Sequence, residues 1–255
     1  SSLIQADGRF LKGTPFVGEK NIQEANEIVI DVLKSKNLLL SKNKYRHSFP
    51  HCWRHKTPLF FRATPQWFIS MDQNGLLDDC LKKIEEINWL PEWGKSRIDS
   101  MMADRPDWCV SRQRHWGAPL PLFVDKISGE LHPDSIKIIQ AVADKIETNG
   151  VEDWFSSDPK EFLGKDANKY EKITDILDVW FDSGVSHSCA PDQIKTPYSP
   201  ADLYLEGSDQ HRGWFQSSLI TGLAMNSQSP YRTVLTHGFV VDADGRKMSK
   251  SLGNV

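Results

Sequence analysis

The run from Ala201 to Gln210, the helical stretch from His211 to about Met225 and the β-branched run from Thr233 to Val241 constrain this fold most. Strand, helix and strand at this spacing make a βαβ unit, so the two strands lie parallel in an α/β sheet. Polar residues gather at the carboxyl ends of both strands, Glu206-Gly207-Ser208-Asp209-Gln210 on the first and His237-Gly238 on the second. In open parallel sheets that edge is where ligands bind. Gly207 allows close backbone approach, and Glu206 or Asp209 can hold an amino group or ribose hydroxyls. Ser208 or Asp209 capping the helix is an equally good local reading and is compatible with the first. His237, taken alone, reads more readily as a core histidine; beside the lysine-bearing loop that follows, a nucleotide contact is an equal reading.

The second constraint is Gly245-Arg246-Lys247-Met248-Ser249-Lys250-Ser251-Leu252-Gly253-Asn254, which follows the second strand. Three cations fall within five residues, with the Ser249 hydroxyl between them, Ser251 just after and a glycine on each side. Ammonium groups there neutralise phosphate charge while hydroxyls and backbone N–H groups orient it. A solvated basic turn is the alternative.

Upstream, Ile22, Ala25, Ile28, Val29, Val32 and Leu33 recur at helical spacing between Asn21 and Lys36. Leu59–Thr64 and Gln66–Ser70 read as strands split by Pro65, and Gly75–Glu86 and Gly94–Met102 as helices. Cys52 and His55 have the spacing of half a zinc knuckle, but no second pair completes a tetrahedron, so no metal is expected there. Asp107 to Pro121 interleaves arginines with aromatics, a pattern that suits either nucleotide binding or a loop whose arginines pair with nearby acids. Residues 123–172 contain a hairpin at Asp125–Glu130 and a helix from Pro133 to about Thr148, and read as a surface insertion. Ile176 to Gly184 reads as a strand ending in a small-residue turn.

Bulk properties exclude several classes. With 39% hydrophobic and 25% charged residues over 255 positions, the chain is an ordinary globular sequence without a membrane-length apolar run. A net charge of −3 requires any nucleic-acid contact to come from local patches. Four scattered cysteines lack framework spacing and suit a reducing cytoplasm.

Four motifs in this order resemble those of the class I aminoacyl-tRNA synthetases. They are Ser111-Arg112-Gln113-Arg114-His115-Trp116-Gly117, Asp178-Val179-Trp180-Phe181-Asp182-Ser183-Gly184, Leu205 to Trp214, and Lys247-Met248-Ser249-Lys250-Ser251. They resemble the isoleucine branch most; the valine branch usually has a threonine-tryptophan-phenylalanine-serine-serine run at Val179–Ser183. The resemblance implies the second half of a Rossmann-like parallel sheet with inserted α+β segments. Residues 1–47 would be the tail of the editing insertion, 48–121 the return into the catalytic domain and 122–172 a smaller insertion. Residues 173–255 would complete the nucleotide-binding fold.

It further implies that Glu206, Gly207, Asp209 and Gln210 contact isoleucyl-adenylate and that Trp180 and Trp214 wall the side-chain pocket. His237 and Gly238 would lie near the adenine, with Lys247, Ser249 and Lys250 on the ATP phosphates and Lys247 and Lys250 acting in catalysis. The implied partners are L-isoleucine, ATP with Mg²⁺ and tRNA(Ile), for a parent enzyme that is monomeric and cytoplasmic. Cys52 and His55 fall at a position that binds zinc in some members. The class also has an early His-x-Gly-His motif, and none of the eight histidines has that spacing. An internal stretch of a longer enzyme, inactive alone, is therefore the expectation. A freestanding adenylate-forming enzyme and a non-catalytic RNA-binding module are the rival classes.

Overall fold

The computed structural model describes residues 3–255 apart from 6, 53–54, 194–199 and 251, with backbone alone at 191–193. Two compact units divide the chain, residues 1–65 and 66–255.

In the first unit, helix α1 (Ile22–Ser35) starts at a capping box. Asn21 Oδ1 accepts from Glu24 N at 2.8 Å, and Glu24 Oε2 accepts from Asn21 N at 3.3 Å. These bonds satisfy donors that a bare helix start leaves open. Further on, a turn pairs His51 with Pro58 and brings Cys52 Sγ to 3.5 Å from His55 Nδ1. Leu59–Thr64 is not a strand: it carries no ladder among the described residues, and Phe61 is 90% exposed. A prolyl nitrogen on each side removes ladder donors where that run would join a sheet.

The second unit opens with β1 (Phe68–Ile69), α2 (Leu76–Glu86), β2 (Asn88–Leu90) and α3 (Trp93–Ala103). Short strands β3 (Trp108–Cys109) and β4 (Ser111–Arg112) follow. Next comes a subassembly with its own core. Strand β5 (Phe123–Asp125), helices α4 (Ser135–Asn149), α5 (Glu152–Ser156) and α6 (Lys160–Leu163), and strand β6 (Tyr170–Lys172) bury Phe123, Ile138, Val142, Trp154, Leu163 and Ala167 together. Lys172 places its ammonium 4.6 Å from the centre of the Trp154 ring and donates to the carbonyls of Trp154 and Ser157. The chain returns through β7 (Ile176–Leu177), α7 (Val179–Gly184) and α8 (Ser186–Gln193) to β8 (Tyr204–Gly207), α9 (Trp214–Asn226) and β9 (Thr233–His237).

Strands β2, β9 and β8 form a parallel sheet in that order. The expected βαβ unit is present, and β2 adds a third strand that the sequence reading did not place in the sheet. Helix α9 is buried from Phe215 through Leu223, with Phe215, Leu219 and Ile220 wholly inside. A helix covered on every side must satisfy its polar side chains internally. Thr221 Oγ1 donates to Gly184 O at 2.8 Å, and Gln216 bonds Arg105 and Met101 O. Cys80 lies in the same core, and burial pushes its thiol up to about 12.

Two extents differ from expectation. Val179–Gly184 is helical, not the end of a strand: Asp178 leaves the strand at φ −61°, ψ 135° and the chain turns into α7. A short apolar run such as Val179-Trp180-Phe181 carries no period that separates the two structures. Strand β9 stops at His237, four residues before Val241, because Val240 and Val241 pair with the lysine loop instead. No described helix is long and apolar enough to cross a membrane.

Leu219→Ala should destabilise the chain by about 2–5 kcal/mol through lost transfer energy and an unfilled cavity. Ile136→Ala, at a position 85% exposed, should change stability by less than ~0.5 kcal/mol. Urea unfolding measures both, and equal midpoints for the two variants would contradict this placement of the core.

Candidate functional site

Parallel register sets Gly207 beside His237 and Glu206 beside Thr236, so β8 and β9 end at one edge of the sheet. From Gly207 the chain enters a 3-10 turn, Ser208–Arg212, that carries Asp209 and Gln210 before α9 begins. Glu206, Asp209 and His237 are exposed there, while Gly207 is buried. A Cβ at Gly207 would stand 2.8 Å from Asp209 Oδ1 and 3.6 Å from His237 Cε1. Glycine is therefore what lets the two strand tips and the acid converge.

The aromatic side of the site meets at Gly213. A Cβ on this residue would lie 2.6 Å from Gln210 Oε1 and 2.7 Å from Trp180 Cη2, so the indole of Trp180 rests on the bare backbone. Gln210 Oε1 also accepts from Trp214 N at 3.0 Å. Trp214 stacks on Tyr204 with ring centroids 3.9 Å apart and planes 7° apart. Its Nε1 donates to Ser183 O and Ser186 Oγ, both at 3.1 Å. Trp214 is thus locked in place, while Trp180 remains 41% exposed. Asp178, at the head of α7, is buried, accepts from Trp108 Nε1 at 3.1 Å and forms an ion pair with Arg112 at 3.3 Å. That pairing fixes the helix that presents Trp180.

Beneath the 3-10 turn His211 is fully buried, facing Trp89, Trp93 and Phe215. Burial holds its imidazole below the usual range, so it is neutral, and Nδ1 bonds Ser208 O at 3.0 Å. Nε2 of His211 and Oγ1 of Thr236 find no hydrogen-bond partner among the described residues. Asp182, on α7, has its carboxyl raised by partial burial and by the nearby Asp178 charge.

The lysine loop forms a separate small hairpin. Val241 pairs with Lys247, Met248 N donates to Val240 O at 3.0 Å, and Lys247 Nζ lies 3.5 Å from the centre of the Phe239 ring. Asp242 accepts from Arg246 and Asn254, which hold its carboxyl below the usual carboxylate value, Asn254 contributing most. Ser249 N donates to Asn254 Oδ1 at 2.9 Å, and Lys250 is exposed. Ser251 lies outside the described residues.

The structure therefore gathers Glu206, Gly207, Asp209, Gln210, His237, Gly238, Trp180 and Trp214 around two strand tips. Lys247, Ser249 and Lys250 sit in a hairpin whose described hydrogen bonds all run within residues 240–254. An apolar cavity of about 890 Å³ lies elsewhere, lined by residues that include Trp116, Pro121, Ile139, Val142 and Asp182. Sequence reasoning missed Asp242, Asp178 and Gly213 as organising residues. An Asp three residues before a glycine that opens a basic loop was a readable turn signal for the first.

The model of the family tRNA synthetases class I (I, L, M and V) matches residues 18–255. The chain belongs to this family. Isoleucine–tRNA ligase of Thioalkalivibrio sulfidiphilus is 59% identical over 252 residues, covering 99% of this chain and 27% of that protein. Its namesake in Coxiella burnetii matches at 59% over the same shares of each chain. The one in Alcanivorax borkumensis is 59% identical over 254 residues, covering 100% of this chain and 27% of its own length. The chain thus spans about a quarter of the length of these relatives. Membership in the class I synthetases agrees with the family resemblance read from the four motifs.

An unfolded His211 takes up a proton below about pH 6.5, which the buried one refuses until a lower pH. Stability should therefore fall as pH drops through 6.5, with His187, lowered by burial as well, adding in the same direction. An NMR titration in which the His211 imidazole has its midpoint at or above 6.5 would contradict the buried, neutral assignment.

Proposed function

We propose that this chain is part of an isoleucine–tRNA ligase, which activates L-isoleucine with ATP and transfers it to tRNA(Ile). The observation that carries this reading is 59% identity to isoleucine–tRNA ligases across 99% of the chain, through the segments that build the strand-tip cluster. Identity at that level along the whole segment favours the isoleucine branch over the valine branch, and a synthetase over an unrelated adenylate-forming enzyme.

The roles follow from the chemistry present. Glu206, exposed at the tip of β8, pairs with the ammonium of isoleucine. Asp209 and Gln210 present an acid and an amide to the ribose and the acyl phosphate. Trp180, resting on Gly213, and the clamped Trp214 offer rigid apolar faces to a branched aliphatic side chain. His237 and Gly238 end the neighbouring strand, where the adenine ring would lie. Lys247, Ser249 and Lys250 bind the phosphates of ATP.

In the reaction the isoleucine carboxylate attacks the α-phosphorus and pyrophosphate leaves; the tRNA terminal ribose then takes the acyl group and AMP is released. No side chain forms a covalent bond. Rate comes from holding the carboxylate in line and from cations that stabilise charge on the departing pyrophosphate. Magnesium would enter as part of the nucleotide substrate complex, neutralising phosphate charge beside Lys247 and Lys250. Cys52 and His55 supply two donors where a structural zinc takes four, so no step is assigned to that metal.

Within this reading, residues 1–47 belong to the editing insertion, 48–121 to the return into the catalytic domain and 122–172 to a second insertion. Residues 173–255 complete the nucleotide-binding fold, in a cytoplasmic, monomeric parent enzyme.

The test is isoleucine-dependent ATP–pyrophosphate exchange by the full-length protein carrying this segment. Lys250→Ala should lower kcat about 100-fold or more, as loss of one charge-stabilising group does, with the isoleucine KM little changed. A variant that loses isoleucine affinity and kcat equally would show that the loop only binds, and exchange driven by valine in preference to isoleucine would move the chain to the other branch.

A further inference from the structure

Asp242 is the most heavily bonded carboxylate in the lysine loop, and the sequence motifs give it no role. Its Oδ1 accepts from Asp244 N at 3.1 Å and Arg246 N at 2.9 Å. Its Oδ2 accepts from Arg246 Nε at 3.1 Å and Asn254 Nδ2 at 2.7 Å. The backbone closes the same turn, with Asp242 N donating to Arg246 O and Gly245 N to Asp242 O, both at 2.9 Å. Asn254 carries the tie onward: its Oδ1 accepts from Ser249 N at 2.9 Å. A continuous chain of bonds therefore runs from Asp242 through Asn254 to Ser249, spanning the segment that bears Lys247 and Lys250.

The side chain of Asp242 is only 13% exposed, whereas Arg246 is 65% exposed. An ion pair to so exposed a guanidinium adds little by itself. The directional bonds to backbone N–H groups and to the Asn254 amide are what define the loop, and acceptance by an ionised oxygen makes them strong. Lys247 follows this turn directly, and its ammonium lies over the Phe239 ring.

We propose that Asp242 is a positioning residue for the activation step, one that sets the placement of Lys247 and Lys250 through the turn at 242–246 and through Asn254. The inference rests on the reading of the lysine loop as the phosphate-binding element. Asp242 touches no substrate; it acts through the lysines. Asp242→Asn keeps the shape but replaces one oxygen with an amide NH₂, which would confront donors on Arg246 or Asn254 instead of accepting from them.

The experiment is a double-mutant cycle in the full-length enzyme, using Asp242→Asn, Lys250→Ala and the combination, read by isoleucine-dependent ATP–pyrophosphate exchange. Asp242→Asn should lower kcat about 10- to 100-fold, the range expected when reacting groups are misplaced by about an ångström. The isoleucine KM should stay within about threefold, because the strand-tip cluster is untouched. With Lys250 already removed, Asp242→Asn should cost at least about threefold less than it does in the wild type, the remainder acting through Lys247, since coupled residues are not additive. Fully additive effects, or a matching rise in the isoleucine KM, would overturn the proposal.

Hydrogen exchange of the loop amides gives a second, activity-independent measure. Asp242→Asn should speed exchange at Arg246 and Ser249 with the α9 amides unaltered, and unchanged protection at both loop amides would overturn the positioning role. A wild-type enzyme without isoleucine-dependent exchange would sink the functional reading alone, leaving the amide measurement to decide the role of Asp242.

Discussion

Parallel pairing of β8 with β9 is the constraint on which the site depends. Because the two strands run the same way and Gly207 lies beside His237, their polar ends emerge together at one sheet edge. The connection between parallel strands must cross a face of the sheet, and α9 makes that crossing inside the core. Its burial leaves no freedom in where the 3-10 turn Ser208–Arg212 can sit, since the turn is tethered to β8 on one side and to α9 on the other. His211 completes the restraint from below, neutral and bonded to Ser208 O. Asp209 and Gln210 inherit their positions from this core.

The aromatic wall is set by a different kind of contact. Gly213 and Gly184 are both places where a side chain would collide, the first with Gln210 and Trp180, the second with the backbone of Ser217 at 3.1 Å. Helices α7 and α9 approach closely at these points, and Thr221 bonds across at Gly184 O. Close backbone approach brings Trp180 against the turn that carries Gln210. Asp178 holds the head of α7 by accepting from Trp108 and pairing with Arg112, which links the aromatic wall to the arginine-bearing segment.

Much of this was legible in the sequence, for reasons that differ by element. Helix α1 was readable because its apolar stripe has a clear period and Asn21 and Glu24 mark its start. The βαβ unit was readable because two apolar runs flank a helix-length segment and end in polar residues. Strand β2 was not, since Asn88-Trp89-Leu90 is too short for any period, and its place in the sheet comes only from pairing with β9. Val179-Trp180-Phe181 was misread because an apolar run this short carries no period that separates a helix from a strand. The motifs named the residues that the structure gathers at the strand tips, but not that the described hydrogen bonds of the lysine loop run among its own residues. A motif specifies which groups are present; hydrogen bonds that begin and end within the loop, such as those of Asp242 and Asn254, decide which of them share a rigid frame.

That internal bonding has a mechanical consequence. A loop hydrogen-bonded to the sheet would have to break those bonds to move, whereas the hydrogen bonds described for residues 240–254 run among the loop's own residues. Between His237, the last residue of β9, and the hairpin stands Gly238, around which a Cβ would find nothing within 4 Å. Bending there breaks none of the bonds that hold Lys247 and Lys250 in relation to each other. The strand-tip residues have the opposite character, being fixed by core packing and by the bonds of Gln210, His211 and Trp214. On the proposed reading, the strand tips would hold the organic substrate in a set geometry, and the loop would bring Lys247 and Lys250 to the phosphates as a preassembled group. Charge stabilisation is most effective when donors need no reorganisation at the moment of reaction, and on the proposed reading the internal order that Asp242 and Asn254 give the loop would serve that condition.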